Sequence, residues 1–485
     1  MKKTTLLLYT CMGIALFGSC KKFLDVNPDN RTQISTIDKV KQLVGTAYPQ
    51  SDYLTFAETA SDNAEDKGSG DINDYVTAYY FWNDYPNNET NTAISYWNGC
   101  YSAISSANQA LKSIEDNHLG AAADPYKGEA LVCRAYAEHM LSIFFAKPYV
   151  SGGDNSSPGV PYPTTPETIL LGKYNRGTVQ STYDSIEADL TAGLKLLSAN
   201  AYDVPKYHFT PAAAHAFAAR FYLFKGEWQK VIDNVAQIIP SGDIKDNLRQ
   251  WTSVFKPMSL QDFNIAFTKT DVKSTLLMNS SYSTYQRVYS TPQYGYGSNL
   301  SNMFLPEGNC VGKALNNIVA NYGLPNYTTY KWKEYFYYAT ANTGFPYLPV
   351  ILFTVDEALL NRAEAYAHLG NFDLALQDLN TFYSTRMSYY DPIKDAVTFP
   401  KIMAYYSISD QQTGIIRAIL DAKKAEFLQE GLRWLDIART GITVKHNVIN
   451  NKGVETFIEL KPDDPRRLFQ LPPQVALAGI ALNPR

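Results

Sequence analysis

The sequence predicts a mainly α-helical protein in which pairs of helices are separated by long irregular insertions. Two internal matches and one periodic stretch carry that reading. Glu129-Ala130-Leu131 … Arg134-Ala135 … Ala137 aligns position for position with Glu357-Ala358-Leu359 … Arg362-Ala363 … Ala365. Tyr222 … Gly226-Glu227-Trp228 aligns with Tyr366 … Gly370-Asn371-Phe372 at equal spacing. Phe217, Phe221, Phe224 and Trp228 recur every three or four residues, which lays them along one helix face.

The segment from Ala365 to Ala375 resembles the turn region of a tetratricopeptide repeat. Gly370 ends the first helix where a left-handed residue is easiest. Ala363 and Ala375 allow two helices to approach, and Phe372 fills the space between them. Periodicity places helix pairs at about 91–146, 179–239 and 354–385, with further helix at about 414–440. Insertions fall at about 50–90, 147–177, 240–350 and 386–412; such long stretches are usually functional. Because the copies are not tandem, a regular solenoid is not expected.

The N-terminus reads as an export signal. Lys2 and Lys3 precede an apolar run from Leu6 to Phe17, too short to span a bilayer. Gly18-Ser19-Cys20 resembles a bacterial lipobox, in which Cys20 is diacylated and becomes the first mature residue. Residues 1–19 are then signal, 20–35 a lipidated tether, and 36–485 a single binding domain held on a membrane by its lipid.

The 485 residues suffice for a large core. A net charge of −4 with no dense basic run gives no reason to expect nucleic acid as a partner. Cys100, Cys133 and Cys310 are too few for a disulfide framework and read as buried thiols, with a Cys100–Cys133 bridge as the alternative.

Catalytic patterns are missing: the chain has no G-x-S-x-G, P-loop, H-E-x-x-H or C-x-x-C. The expectation is a protein that is not an enzyme and carries no cofactor or metal. His139 and His215 read as satisfied core histidines. The acidic run from Ser61 to Asp71 reads as a flexible, solvated loop without EF-hand spacing.

Tyrosine is abundant, with 36 Tyr against 23 Phe, and it clusters in the insertions. One group is Tyr75, Tyr79, Tyr80, Phe81, Trp82 and Tyr85. A second is Tyr282, Tyr285, Tyr289, Tyr294 and Tyr296, with Arg287 nearby. Such rings either stack on sugar faces or pin the loops to the scaffold. A third group, Tyr327, Tyr330, Trp332, Tyr335 and Tyr337, reads as core.

Four segments resemble the RagB/SusD family of outer-membrane nutrient-binding lipoproteins. They are Cys20-Lys21-Lys22-Phe23-Leu24-Asp25-Val26-Asn27-Pro28, Gly128-Glu129-Ala130 … Arg134-Ala135, Lys424 to Arg439, and Leu471-Pro472-Pro473-Gln474 … Leu482-Asn483-Pro484. The resemblance implies a SusD-like fold with four tetratricopeptide-like units. It also implies a SusC-like TonB-dependent transporter as partner, an outer-membrane location facing the exterior, and a ligand that is usually a glycan and sometimes a peptide. A protein-docking scaffold is the alternative reading of the repeats. In the segment Lys424 to Arg439, a continuous helix is expected, with Glu426, Glu430 and Trp434 at one-turn spacing and Arg433 paired to Asp436.

The expected binding residues are Trp82 and Tyr80 as first stackers, then Tyr285, Tyr289 and Tyr296, with Arg287, Asp62 and Asn63 as polar partners. On that reading Trp82→Ala weakens ligand binding and leaves the melting temperature almost unchanged.

Overall fold

Hydroxyl and carboxamide side chains cap several of the helices at their start. The computed structural model describes residues 34–169 and 172–485; the signal segment, Cys20 and nearly all of the 20–35 tether lie outside them. Thr36 caps α1 (Ile37–Val44), which precedes α2 (Leu54–Ala60) and strand β1 (Glu65–Asp66). Asn73 caps α3 (Asp74–Tyr80), and Thr92 caps α4 (Ala93–Asp116). After α5 (Asp124–Phe145), Thr178 starts α6 (Val179–Leu194) with a reciprocal bond to Ser181, and Thr210 starts α7 (Pro211–Lys225). Each side chain accepts a backbone N–H three residues on, pairing a donor that the first turn leaves open.

The next elements are α8 (Trp228–Ile238), α9 (Leu260–Phe267), β2 (Thr275–Tyr282), α10 (Tyr285–Val288), β3 (Tyr294–Gly295), β4 (Ala320–Asn321), β5 (Tyr327–Thr328), β6 (Tyr335–Tyr338) and β7 (Gly344–Thr354). Helices α11 (Val355–His368), α12 (Phe372–Ser384), α13 (Phe399–Tyr406), α14 (Gln411–Glu426) and α15 (Arg433–Thr440) follow, then the hairpin β8 (Val444–Ile449) and β9 (Glu455–Leu460). Residues Thr36–Arg485 form one compact unit.

Helix pairs α4–α5, α5–α6, α7–α8 and α11–α12 pack side by side. Between α5 and α6 the backbones nearly touch: a Cβ on Gly128 would lie 2.8 Å from the Gly193 carbonyl oxygen. Only a residue without a side chain allows that approach. The core beneath is aromatic, with Tyr136, Phe209, Phe217 and Phe353 in mutual ring contact. His139 is buried among Phe217, Phe221, Phe224 and Tyr183, and neither ring nitrogen has a hydrogen-bond partner among the described residues. Burial lowers it to about 3, so it is a neutral ring held by aromatic contacts rather than the satisfied histidine expected. Cys100, Cys133 and Cys310 are buried and unpaired.

The insertions are more ordered than periodicity suggested. Residues 50–90 contain α2 and α3, residues 386–412 contain α13, and residues 240–350 contribute a three-stranded antiparallel sheet in the order β2-β7-β6. Strand β7 is buried along most of its length, so it reads as an apolar run without the alternation that identifies a half-buried strand. The C-terminus closes on the repeats through Asn483, whose Nδ2 donates to the carbonyls of Phe145 and Phe469 at 3.0 Å each.

The segment Lys424 to Arg439 is not one helix. Helix α14 stops at Glu426, and the chain turns through Gln429 (φ 63°) and Gly431 (φ 72°) before α15 begins. Arg433 does not pair with Asp436; its Nε and Nη2 grip Asp62 at 2.7 and 3.0 Å. Asp436 instead faces Lys423 and Arg439. Glu426 and Glu430 still converge, now on Arg249 at 3.0 and 2.8 Å. Lys331 reaches Glu430 at 2.7 Å, and Arg386 bridges Glu426 to Asp356. Three buried cations thus face three buried carboxylates.

Removing one member of such a set strands its partners in a dry interior. Arg249→Met is expected to destabilise the protein by about 3–5 kcal/mol. Urea unfolding measures it, and a loss below about 1 kcal/mol would show that the set is not structural.

Candidate ligand-binding loops

Three segments far apart in sequence meet on one side of the repeats. β1 pairs antiparallel with β3, placing Glu65 opposite Gly295 and Asp66 opposite Tyr294. Lys67 Nζ donates to Asn326 Oδ1 at 2.6 Å and to the Ser290 carbonyl at 3.1 Å, and Gln293 Nε2 donates to Asp66 Oδ1 at 2.8 Å. Tyr296 packs on Tyr327 at 5.8 Å. The three aromatic clusters of the sequence therefore belong to one loop assembly.

The turn after α14 fastens that assembly to the scaffold. Gln429 Oε1 accepts from the Thr329 amide at 2.7 Å and from both hydroxyls of Thr328 and Thr329. The Gln429 carbonyl accepts from Trp332 Nε1 at 2.8 Å. The amides of Gln429 and Gly431 donate to Glu58, which also accepts from Asn63 Nδ2 at 3.0 Å.

Most of the residues expected to bind ligand serve this internal fastening. Tyr80 is fully buried, sandwiched between Tyr294 at 4.3 Å and His446 at 4.2 Å, with its hydroxyl donating to the Asn447 carbonyl. Trp82 covers the other face of His446 at 4.6 Å and donates from Nε1 to the Ala60 carbonyl at 2.9 Å. Neither ring offers a sugar-sized face. Tyr285 and Tyr289 stack on each other at 5.0 Å and are buried, as is Tyr296. Asn63 is buried on Glu58.

Asp62 is clamped by Arg433 and Lys424; burial alone would raise its carboxyl, but the two cations outweigh it and hold it well below the usual range. Within the Ser61–Asp71 run, Ser61–Asp66 is accordingly largely buried structure and not the solvated loop expected, whereas Gly68–Asp71 is exposed. Among the expected residues only Arg287 stays at the surface, its side chain half exposed and paired to Glu334.

Rings that the sequence did not single out, or assigned to the core, are exposed instead. Tyr322 is 55% exposed, Phe336 41% and Tyr338 67%. Phe336 and Tyr338 lie 4.8 Å apart on the same face of edge strand β6, and the Arg287 guanidinium sits 5.6 Å over the Phe336 ring. Trp332 is core, as expected, whereas Tyr335 and Tyr337 are exposed. Four consecutive aromatics before a Gly-containing turn were the available signal: alternation on an edge strand puts them on both faces. Ring faces beside Arg287, Lys67 and Asn326 suit a polyhydroxylated or amide-bearing ligand. Burial lowers Lys67 to about 8.

Comparison with known proteins agrees with this architecture. Residues 22–223 match a family model described as starch-binding, associating with outer membrane, and residues 263–467 match the SusD family model. A SusD-like protein P38 of Formosa agariphila is 23% identical over 489 residues, covering 90% of each chain. A putative sugar binding protein of Bacteroides vulgatus superposes with a TM-score of 0.68 at 20% identity, over 94% of this chain and 99% of its own. A SusD superfamily protein of Bacteroides thetaiotaomicron superposes at 0.65 and 20% identity, over 93% and 100%.

Two outcomes follow from this geometry. Trp82→Ala should destabilise the fold by about 3–5 kcal/mol, as expected for a buried aromatic; an unchanged melting temperature would return Trp82 to the surface. Burial raises the Glu58 carboxyl to about 7 from 4.5, against hydrogen bonds from Gln429, Asn63 and Gly431. Its contribution to stability is complete below about 4.5 and is lost as pH rises through about 7. The melting temperature of wild type should therefore fall more between those limits than that of Glu58→Gln, which does not titrate. Parallel profiles would contradict the assignment.

Proposed function

The chain belongs to the RagB/SusD family, and on that premise we propose that it is an outer-membrane lipoprotein that captures an oligosaccharide and hands it to a SusC-like TonB-dependent transporter. Cys20 carries the lipid and the binding domain faces the exterior. The protein binds without turning over its ligand.

One observation carries the ligand reading: exposed rings stand on ordered segments, Phe336 beneath the Arg287 guanidinium and Tyr322 in the turn that holds Asn326. Tyr322, Phe336 and Tyr338 supply faces for pyranose rings, and Arg287, Lys67 and Asn326 supply donors and acceptors for hydroxyls. Order matters because a loop already fixed by the Lys67–Asn326 and Gln429–Thr329 bonds loses little entropy on binding. The sugar-binding description of the Bacteroides vulgatus relative supports the same class. Buried carboxylates argue against hydrolysis, since Asp62, Glu58 and Asp66 are engaged by Arg433, Gln429 and Gln293.

Calorimetry against a glycan panel tests this reading. On a glycan that binds, Phe336→Ala or Tyr322→Ala should cost about 1–3 kcal/mol, the order seen for losing a stacking ring, with melting unchanged. Full affinity in both variants would remove these rings from the site. Anchoring is tested separately by fatty-acid labelling: Cys20→Ala should lose the label and leave the membrane fraction with its fold intact, and retained labelling would refute the lipoprotein assignment.

A further inference from the structure

A cavity of about 220 Å³ lies between α4, the connection before α6 and the C-terminal segment. Its walls are apolar: Trp97, Tyr101 and Ile104 from α4, Pro161 and Pro163 from the connection, and Ile480 from the C-terminal segment. Two of the polar groups along those walls are already engaged. Tyr101 donates from its hydroxyl to the Pro161 carbonyl at 2.8 Å. Asn108 donates to the Pro163 carbonyl at 2.9 Å and accepts from Arg134 at 2.7 Å.

The remaining charged group is the exposed carboxylate of Glu167. One of its oxygens, Oε1, accepts from the Tyr174 hydroxyl at 2.8 Å. Among the described residues no basic side chain pairs with it, whereas Asp62, Glu58, Glu187, Glu334, Glu426 and Glu430 are all engaged by cations or amides.

We propose that this cavity binds a primary alkylammonium group. The aliphatic stem lies along Trp97, Ile104 and the two prolines, where each buried methylene contributes favourably, and the ammonium meets Glu167 on the cavity wall. With Oε1 held by Tyr174, a single carboxylate oxygen is free. That geometry fits the point charge of an ammonium better than the two-pronged guanidinium, which needs both oxygens. The source is either a lysine side chain of an extended peptide or a free aliphatic amine.

Titration of the full chain with three probes tests the assignment: Nα-acetyl-lysine methylamide, n-pentylamine, and the Nε-acetylated form of the lysine probe. The two charged probes should bind, and the acetylated one should bind about fivefold more weakly, the size of an exposed ion pair. Glu167→Gln should reduce the charged probes to that level. Ser105→Trp, placed at an exposed position lining the cavity, should abolish binding of all three with wild-type melting. Tighter binding of the lysine probe identifies a peptide side chain, and tighter binding of pentylamine identifies a free amine. Equal affinity for charged and acetylated probes, indifference to Glu167→Gln, or no saturable binding would overturn the proposal.

Discussion

The turn from Phe427 to Leu432 is the constraint on which both halves of the structure depend. It interrupts what the sequence pattern presents as one helix, and the interruption gives it three functions. It turns Glu430 back to share Arg249 with Glu426. It aims the amides of Gln429 and Gly431 at Glu58, and it offers the Gln429 side chain to Thr328 and Thr329. Lys331 answers from the loop side, donating to the carbonyls of Glu426 and Leu428, which the end of α14 leaves without helical partners. A cation at that end also meets the negative pole of the helix.

Burying three positive and three negative groups is costly, and an apolar cluster of equal volume would often be as stable. What the ion set supplies is a unique arrangement. Arg249 precedes α9, Lys331 precedes β6, Arg386 follows α12, Asp356 opens α11 and Glu426 and Glu430 flank the end of α14, so the set is complete only when five separate segments are in register. The same logic explains Asp62, Arg433 and Lys424, which join the segment after α2 to both sides of the turn. Loops that would otherwise cost entropy to order are held before any ligand arrives.

Local features were legible from the sequence where local physics decides them. Gly370 adopts the left-handed conformation expected (φ 77°), and the repeat helices lie where the internal matches placed them. The fate of individual aromatics was not legible, because it depends on partners hundreds of positions away. Tyr80 and Trp82 differ little in pattern from surface stackers, and distant partners make them core: His446, wedged between them and bonded to the carbonyls of Tyr80 and Ser61, and Tyr294 on the far face of Tyr80. The pairing of Arg433 with Asp62 was hidden for the same reason: a helical reading offered Asp436 three residues away, and the real partner lies 371 positions upstream. Edge-strand aromatics were misassigned in the other direction, since a short apolar run does not reveal whether its strand has a neighbour on each side.

Hydrogen exchange resolved by peptide, comparing wild type with Gln429→Asn, tests the role of the turn most directly. Asparagine tolerates the left-handed backbone at this position but is one methylene too short to hold Thr328 and Thr329. The account predicts faster exchange in 61–67 and 326–332, with α11 and α12 unchanged. Unchanged exchange in both loop segments, or an equal increase throughout the helices, would contradict the claim that this turn fastens the loops to the scaffold.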